Sequence, residues 1–157
     1  MKKWCLPLLI LFIVSGCNQS FPKQMPDDFA FSLKYGVMLA NELNTYEHTF
    51  TKDLVADGKA ETEMILTDEE LSQIYDLFRE VDVFKVSQGS GPPCMEPYEK
   101  YELKMTMNEQ DYDLSWNTSC NFQKQLKWET VLNEIRINII QTKPEYQQLP
   151  EANGGYE

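Results

Sequence analysis

The residues with the most restricted chemistry in this 157-residue chain are one histidine, His48, and four cysteines: Cys5, Cys17, Cys94 and Cys120. One histidine is too few for a helical zinc-hydrolase ligand set, which needs a second imidazole. There is no CxxC, so a dithiol redox motif is absent. A Ser-His-Asp set would have to use His48. Gly89-Ser90-Gly91 is superficially like a nucleophile elbow but lacks its strand-to-helix context. His48 lies between Glu47 and Thr49 in a strand-like stretch and reads as a surface or sheet-face residue. Asp53, Asp57 and Gly58 match the first, fifth and sixth positions of a calcium loop. Val55 and Met64, at its third and twelfth, cannot ligate. No Gly-rich phosphate loop follows any strand-like segment.

Carboxylates are the remaining candidates for catalysis. Asp111 with Asp113, and Glu61 with Glu63, recur at two-residue spacing, so each pair shares one face of a strand. Buried together, such pairs would raise a pKa and divide acid and base roles. Their alternation with apolar residues instead puts them on the solvated side. The sequence therefore assigns no catalytic residue, no cofactor and no metal. Tyr98, Phe122 and Tyr146 fit no core stripe cleanly, and two readings stay open for them. They anchor a partner, as aromatics beside loops do, or they pack as a satellite core.

These residues must be positioned by elements legible from periodicity. Phe29, Phe31, Leu33 and Tyr35 alternate with polar or small residues, which predicts a strand. "VMLANELN" is ambiguous, and "TYEHTFTKDLV" is strand-like in composition. Asp57-Gly58 signals a hairpin into residues 59–66, with Val55 opposite Ala60 and Phe50 opposite Ile65. Thr67 and Glu70 form a capping box opening a helix whose stripe is Leu71, Ile74, Tyr75, Phe78 and Val81. "VSQGSGPPCMEP" is loop by composition. A second hairpin turns at Asn108-Glu109, setting Met105 against Tyr112, Leu103 against Leu114 and Tyr101 against Trp116. A last helix spans about 123–141, with Trp128, Val131, Leu132, Ile135 and Ile139 on one face.

The expected fold is thus α+β: an antiparallel sheet of about five strands, built from two hairpins, with two helices packed on one face. The expected organisation is a leader over 1–16, a short tether over 17–28, a single globular domain over 29–142 and a flexible tail over 143–157. The second hairpin's register brings Cys94 near Cys120, predicting a disulfide across its open end. Such a bond persists outside the cytoplasm.

The first residues suggest how the chain reaches that compartment. Lys2 and Lys3 precede an apolar run, Cys5 to Val14, that ends on Ser15-Gly16-Cys17 and then turns polar. About ten apolar residues are too few to span a bilayer, so this is a targeting segment. Val14-Ser15-Gly16-Cys17 resembles the lipobox of bacterial lipoproteins, although Val14 stands where that pattern more often has Leu. The resemblance covers only residues 1–17. It implies a diacylglyceride on the Cys17 sulfur and cleavage just before it, and hence attachment to the outer face of a cell membrane.

The formal net charge is -11; loss of Lys2 and Lys3 with the leader takes the mature chain to about -13. That charge is repelled by phosphate backbones and anionic headgroups, so nucleic acid is excluded as a partner and the lipid must do the holding. The resulting expectation is a tethered, non-enzymatic extracytoplasmic domain that binds an envelope protein or polymer. The alternatives are an enzyme using paired carboxylates on envelope polymers, and an inhibitor or immunity-type lipoprotein.

Overall fold

In a computed structural model, the described residues are 21–88, 91–120 and 122–157, with the backbone alone for 122–124. The leader, Cys17 and residues 89–90 lie outside them. Six strands form one antiparallel sheet: β1 (Ala30–Gly36), β2 (Asn41–Asn44), β3 (Thr49–Val55), β4 (Gly58–Glu63), β5 (Lys100–Met107) and β6 (Gln110–Asn117). Their spatial order is β4-β3-β2-β1-β5-β6. The first four form a meander, and the β5–β6 hairpin pairs on the other side of β1. The expected α+β class is present, with one strand more than expected. That strand is β2, four residues inside the ambiguous "VMLANELN", of which only Leu43 is buried.

The β5–β6 register is the one the alternation requires, with Leu103 opposite Leu114 and Tyr101 opposite Trp116. Asn108 and Glu109 both adopt positive φ, 51° and 60°, as a type I′ turn demands. Glutamate is poorly suited to that conformation, and a tertiary contact supports it. The Asp28 carboxylate accepts hydrogen bonds from the Asn108 and Glu109 amides at 2.8 and 2.6 Å. Those two bonds hold the Asp28 carboxyl below its usual pKa, the Glu109 amide contributing most.

The β3–β4 hairpin differs from expectation. Its turn lies at Ala56-Asp57, with Val55 opposite Gly58 and Phe50 opposite Thr62, and an irregularity between Asp53 and Val55. Val55 sits at φ 61°, an uncommon conformation for a β-branched residue. The chain's C-terminal segment stabilises it there. Asn153 accepts from the Ala56 amide and donates to Leu54 O, at 3.0 and 3.1 Å.

The helices all pack on one face of the sheet. α1 (Asp68–Val81) begins at the predicted capping box and buries Ile74, Tyr75 and Phe78. A short unpredicted helix, α2 (Val83–Ser87), follows after Asp82 adopts a left-handed conformation. Its Phe84 ring lies 5.1 Å from Tyr112 of β6. α3 (Phe122–Glu134) continues into a π-helical turn, Ile135–Ile140. The predicted stripe, Trp128, Val131, Leu132, Ile135 and Ile139, is buried. Trp128 meets Phe78, Tyr101 and Trp116, joining the helix to both α1 and the sheet. The wider π turn, closed by the Gln141 amide on Arg136 O, also brings Ile140 inside.

Two segments expected to be loose are docked. Within the expected tether, Phe21 packs on Tyr75 and Phe84, with centroids 5.5 and 5.0 Å apart. The Tyr75 hydroxyl donates to Pro22 O at 2.8 Å, and Arg79 donates to Lys23 O. Within the expected flexible tail, α4 (Pro144–Gln147) places Tyr146 on Phe50, with centroids 5.6 Å apart. Lys143 joins Ile65 O and Glu70 at 3.0 and 2.7 Å. Composition marked both segments as polar and Pro-rich, but each carries aromatic or aliphatic side chains that the helix–sheet layer accepts.

Candidate functional site

The sheet has two ends, and they differ. At one end lie Ala30, the β5–β6 turn and the docked segment beginning at Phe21. At the other lie Gly36, Val55, Lys100 and the paired Cys94 and Cys120, whose Cα atoms are 5.2 Å apart. The seven residues of β1 separate these ends by about 20 Å.

A cavity of about 250 Å³ opens at the second end, between the sheet, the π turn and the C-terminal segment. Its lining includes Tyr35, Lys52, Glu99, Arg136, Gln141 and Tyr146. Lys52 is the unusual member. It stands between Phe50 and Leu54 in β3, on the strand parity that faces the core. Its side chain is only 9% exposed, where an ammonium is costly unless paired. The charge sits 4.9 Å over the Tyr146 ring, a favourable cation–π arrangement. Among the described residues its only charged partner is Glu151, 3.7 Å away and itself 98% exposed.

Arg136 reaches the cavity because of the π turn. That turn places Arg136, Ile140 and Gln141 together on the lining. Such irregularities recur at functional sites because they re-aim side chains. The guanidinium lies 5.9 Å from the Tyr35 ring centroid. Among the described residues it forms no ion pair and no hydrogen bond. Burial pushes the Tyr35 hydroxyl pKa well up, only partly opposed by Arg136, so Tyr35 stays protonated.

The acidic lining residues are engaged elsewhere. Glu99 accepts from the Tyr101 hydroxyl at 2.7 Å. Asp53 accepts from the Val55 amide and the Tyr156 hydroxyl, at 2.9 and 2.6 Å. The cavity therefore carries two cations with unmet donors beside two carboxylates already supplied with donors.

The residues singled out from sequence fall in different places. Tyr146 lines this cavity and packs on Phe50, as the satellite-core reading expects. Tyr98 is half-buried nearby, with the Lys100 ammonium 5.4 Å over its ring, on a separate shallow depression beside Trp116. Phe122 opens α3, and its side chain lies outside the described residues. Asp111, Asp113, Glu61 and Glu63 are exposed on the uncovered sheet face, where Asp111 accepts from Thr106 and Glu61 from Thr51. That face holds them apart from the cavity. His48 is exposed in the β2–β3 turn at φ 56°. Among the described residues no three His, Cys, Asp or Glu side chains could hold a metal ion, and no helix is long and apolar enough to cross a membrane.

Lys52 and Arg136 were not singled out from sequence. Lys52 did leave a signal: a lysine at the apolar parity of "TFTKDLV". Arg136 left none, since its placement depends on the π turn.

Comparison with family models, curated proteins and solved structures found no match for this chain.

Proposed function

We propose that this protein is a lipid-anchored binding domain on the outer face of a bacterial membrane, presenting the cavity end of its sheet away from the bilayer. The observation that carries this reading is the docking of Phe21 at the opposite end. Only three residues lie between Cys17 and Phe21, and the four Cα–Cα steps that join them reach at most about 14 Å. A diacylated Cys17 would hold the domain by that end. The cavity would then face outward, toward envelope components. Binding rather than catalysis is favoured because the sheet-face carboxylates are solvated and lie outside the cavity.

The test has two parts. Labelled fatty acid should enter the wild-type chain and not a Cys17→Ala form, and only the wild type should be processed to a chain beginning at residue 17. Cross-linking in native membranes should then recover a specific partner through positions at the cavity end, such as Met95 or Gln141. Absence of lipid on Cys17 would refute the anchoring. Cross-links confined to the Phe21 end would refute the orientation.

A further inference from the structure

We infer that the cavity between Lys52, Arg136, Tyr35 and Tyr146 is a binding site for a carboxylate carried on a small apolar group, and that Glu151 occupies its mouth as an intramolecular stand-in. The inference rests on the lining side chains and is independent of the lipid anchor.

Three features of the site lead to this chemistry. First, the donors are there without acceptors. Lysine brings three N–H groups and arginine five. Among the described residues neither the Lys52 nor the Arg136 side chain donates a hydrogen bond. A chain with a net charge of -11 has abundant carboxylates to satisfy two cations, yet among the described residues Arg136 pairs with none and Lys52 has only the exposed Glu151, at 3.7 Å and beyond hydrogen-bond distance. Second, the surroundings are aromatic. The Tyr35 and Tyr146 rings stand beside the two charges, and Phe50 and Ile140 complete an apolar wall. That lining suits a ring or aliphatic stub next to the anion. Third, the one charge that approaches Lys52 is itself a carboxylate. Glu151 comes within 3.7 Å while remaining almost wholly exposed. It follows Leu149, which packs against the core, and precedes Asn153, which is bonded to β3. The C-terminal segment thus places a carboxylate at the mouth without filling the site.

A singly charged ligand fits better than phosphate. Lys52 and Arg136 are balanced on the lining by Asp53 and Glu99, so a second negative charge would meet those carboxylates at short range.

The experiment uses the full chain in detergent at low salt, with benzoate, benzamide, N-acetylphenylalanine and inorganic phosphate as probes in calorimetric titrations. Benzoate should bind saturably and its neutral isostere benzamide should not. Glu151→Gln, which alters an exposed side chain, should tighten benzoate about two- to fivefold, the range expected for an exposed ion pair. Lys52→Met and Arg136→Gln should each weaken it at least about tenfold, as loss of a charge-assisted hydrogen bond does. Circular dichroism establishes that each variant is folded, and Arg136→Gln carries the test if Lys52→Met is not. Tighter binding of N-acetylphenylalanine than of benzoate supports a peptide C-terminus as the source of the carboxylate, and the reverse supports a free small acid. No saturable binding of either acid to the Glu151→Gln protein would overturn the inference. So would equal binding of benzoate and benzamide, phosphate binding as tightly as benzoate, or affinity unchanged in the folded variants.

Discussion

Replacing Phe21 by serine should free the N-terminal segment from the domain while leaving the fold in place. Phe21 is partly buried, with its ring against Tyr75 and Phe84. Fully burying such a side chain is worth about 1.5–3 kcal/mol, and each aromatic pair adds about 0.5–1.5 kcal/mol. Partial burial takes the first figure toward its lower end, so a total near 2 kcal/mol is expected. The hydrogen bonds from Tyr75 to Pro22 O and from Arg79 to Lys23 O remain available, but they must then hold an otherwise unpacked strand of chain. A loss of about 2 kcal/mol raises the open population about thirtyfold. Trypsin reads this directly. Cleavage after Lys23 requires the segment to leave the surface, and its rate follows the open population when closing is fast. Mass spectrometry should therefore show cleavage after Lys23 about thirtyfold faster in Phe21→Ser than in wild type. Equal rates in the two proteins would refute the docking. The consequence for a lipidated chain is geometric. Release of the segment would extend the reach from Cys17 to the first strand, at Ala30, to about 45 Å, and the domain would no longer be oriented.

Other outcomes follow from the same structure. Asp28→Asn should weaken the β5–β6 turn at neutral pH. Because the native carboxyl has a lowered pKa, its contribution is complete above the ordinary value of 3.8 and is lost as pH falls through the native value. Acid titration of stability should thus show the gap between wild type and Asp28→Asn closing at low pH. Replacing both Cys94 and Cys120 by serine opens a loop with a sequence separation of 26 and should cost about 3.5 kcal/mol in urea unfolding by the chain-entropy relation. Lys143→Met removes the bonds to Ile65 O and Glu70 and should cost about 2 kcal/mol, with amides near Asn153 exchanging faster as the C-terminal segment loosens.

Local rules made several elements legible. The capping box at Thr67 and Glu70 set the start of α1, because it satisfies helix-end amides using residues three apart. The β5–β6 register followed from alternation alone, since a one-residue slip would turn Tyr101, Leu103 and Met105 to solvent. That register brings Cys94 within three residues of level with Cys120, a gap that the loop at Pro92 and Pro93 can close. The stripe from Trp128 to Ile139 was also readable, because helical periodicity is written in neighbouring residues.

What the sequence alone determined, then, is the part governed by short-range spacing: strand faces, helix starts, the second hairpin and the covalent staple. The tertiary structure decided the rest. Residues 21–28 and 143–157 are polar on average, and only the packed layer reveals that Phe21, Tyr146 and Leu149 have places to go. The turn of the β3–β4 hairpin lies at Ala56-Asp57, where Asn153, far along the chain, bonds to Leu54 and Ala56. Lys52 and Arg136 are 84 residues apart in number, and a π turn brings the second to the cavity that the first already lines. Spacing along a chain describes neighbours on one element; a site assembled from β1, β3, a helix irregularity and the C-terminal segment exists only once those elements have packed.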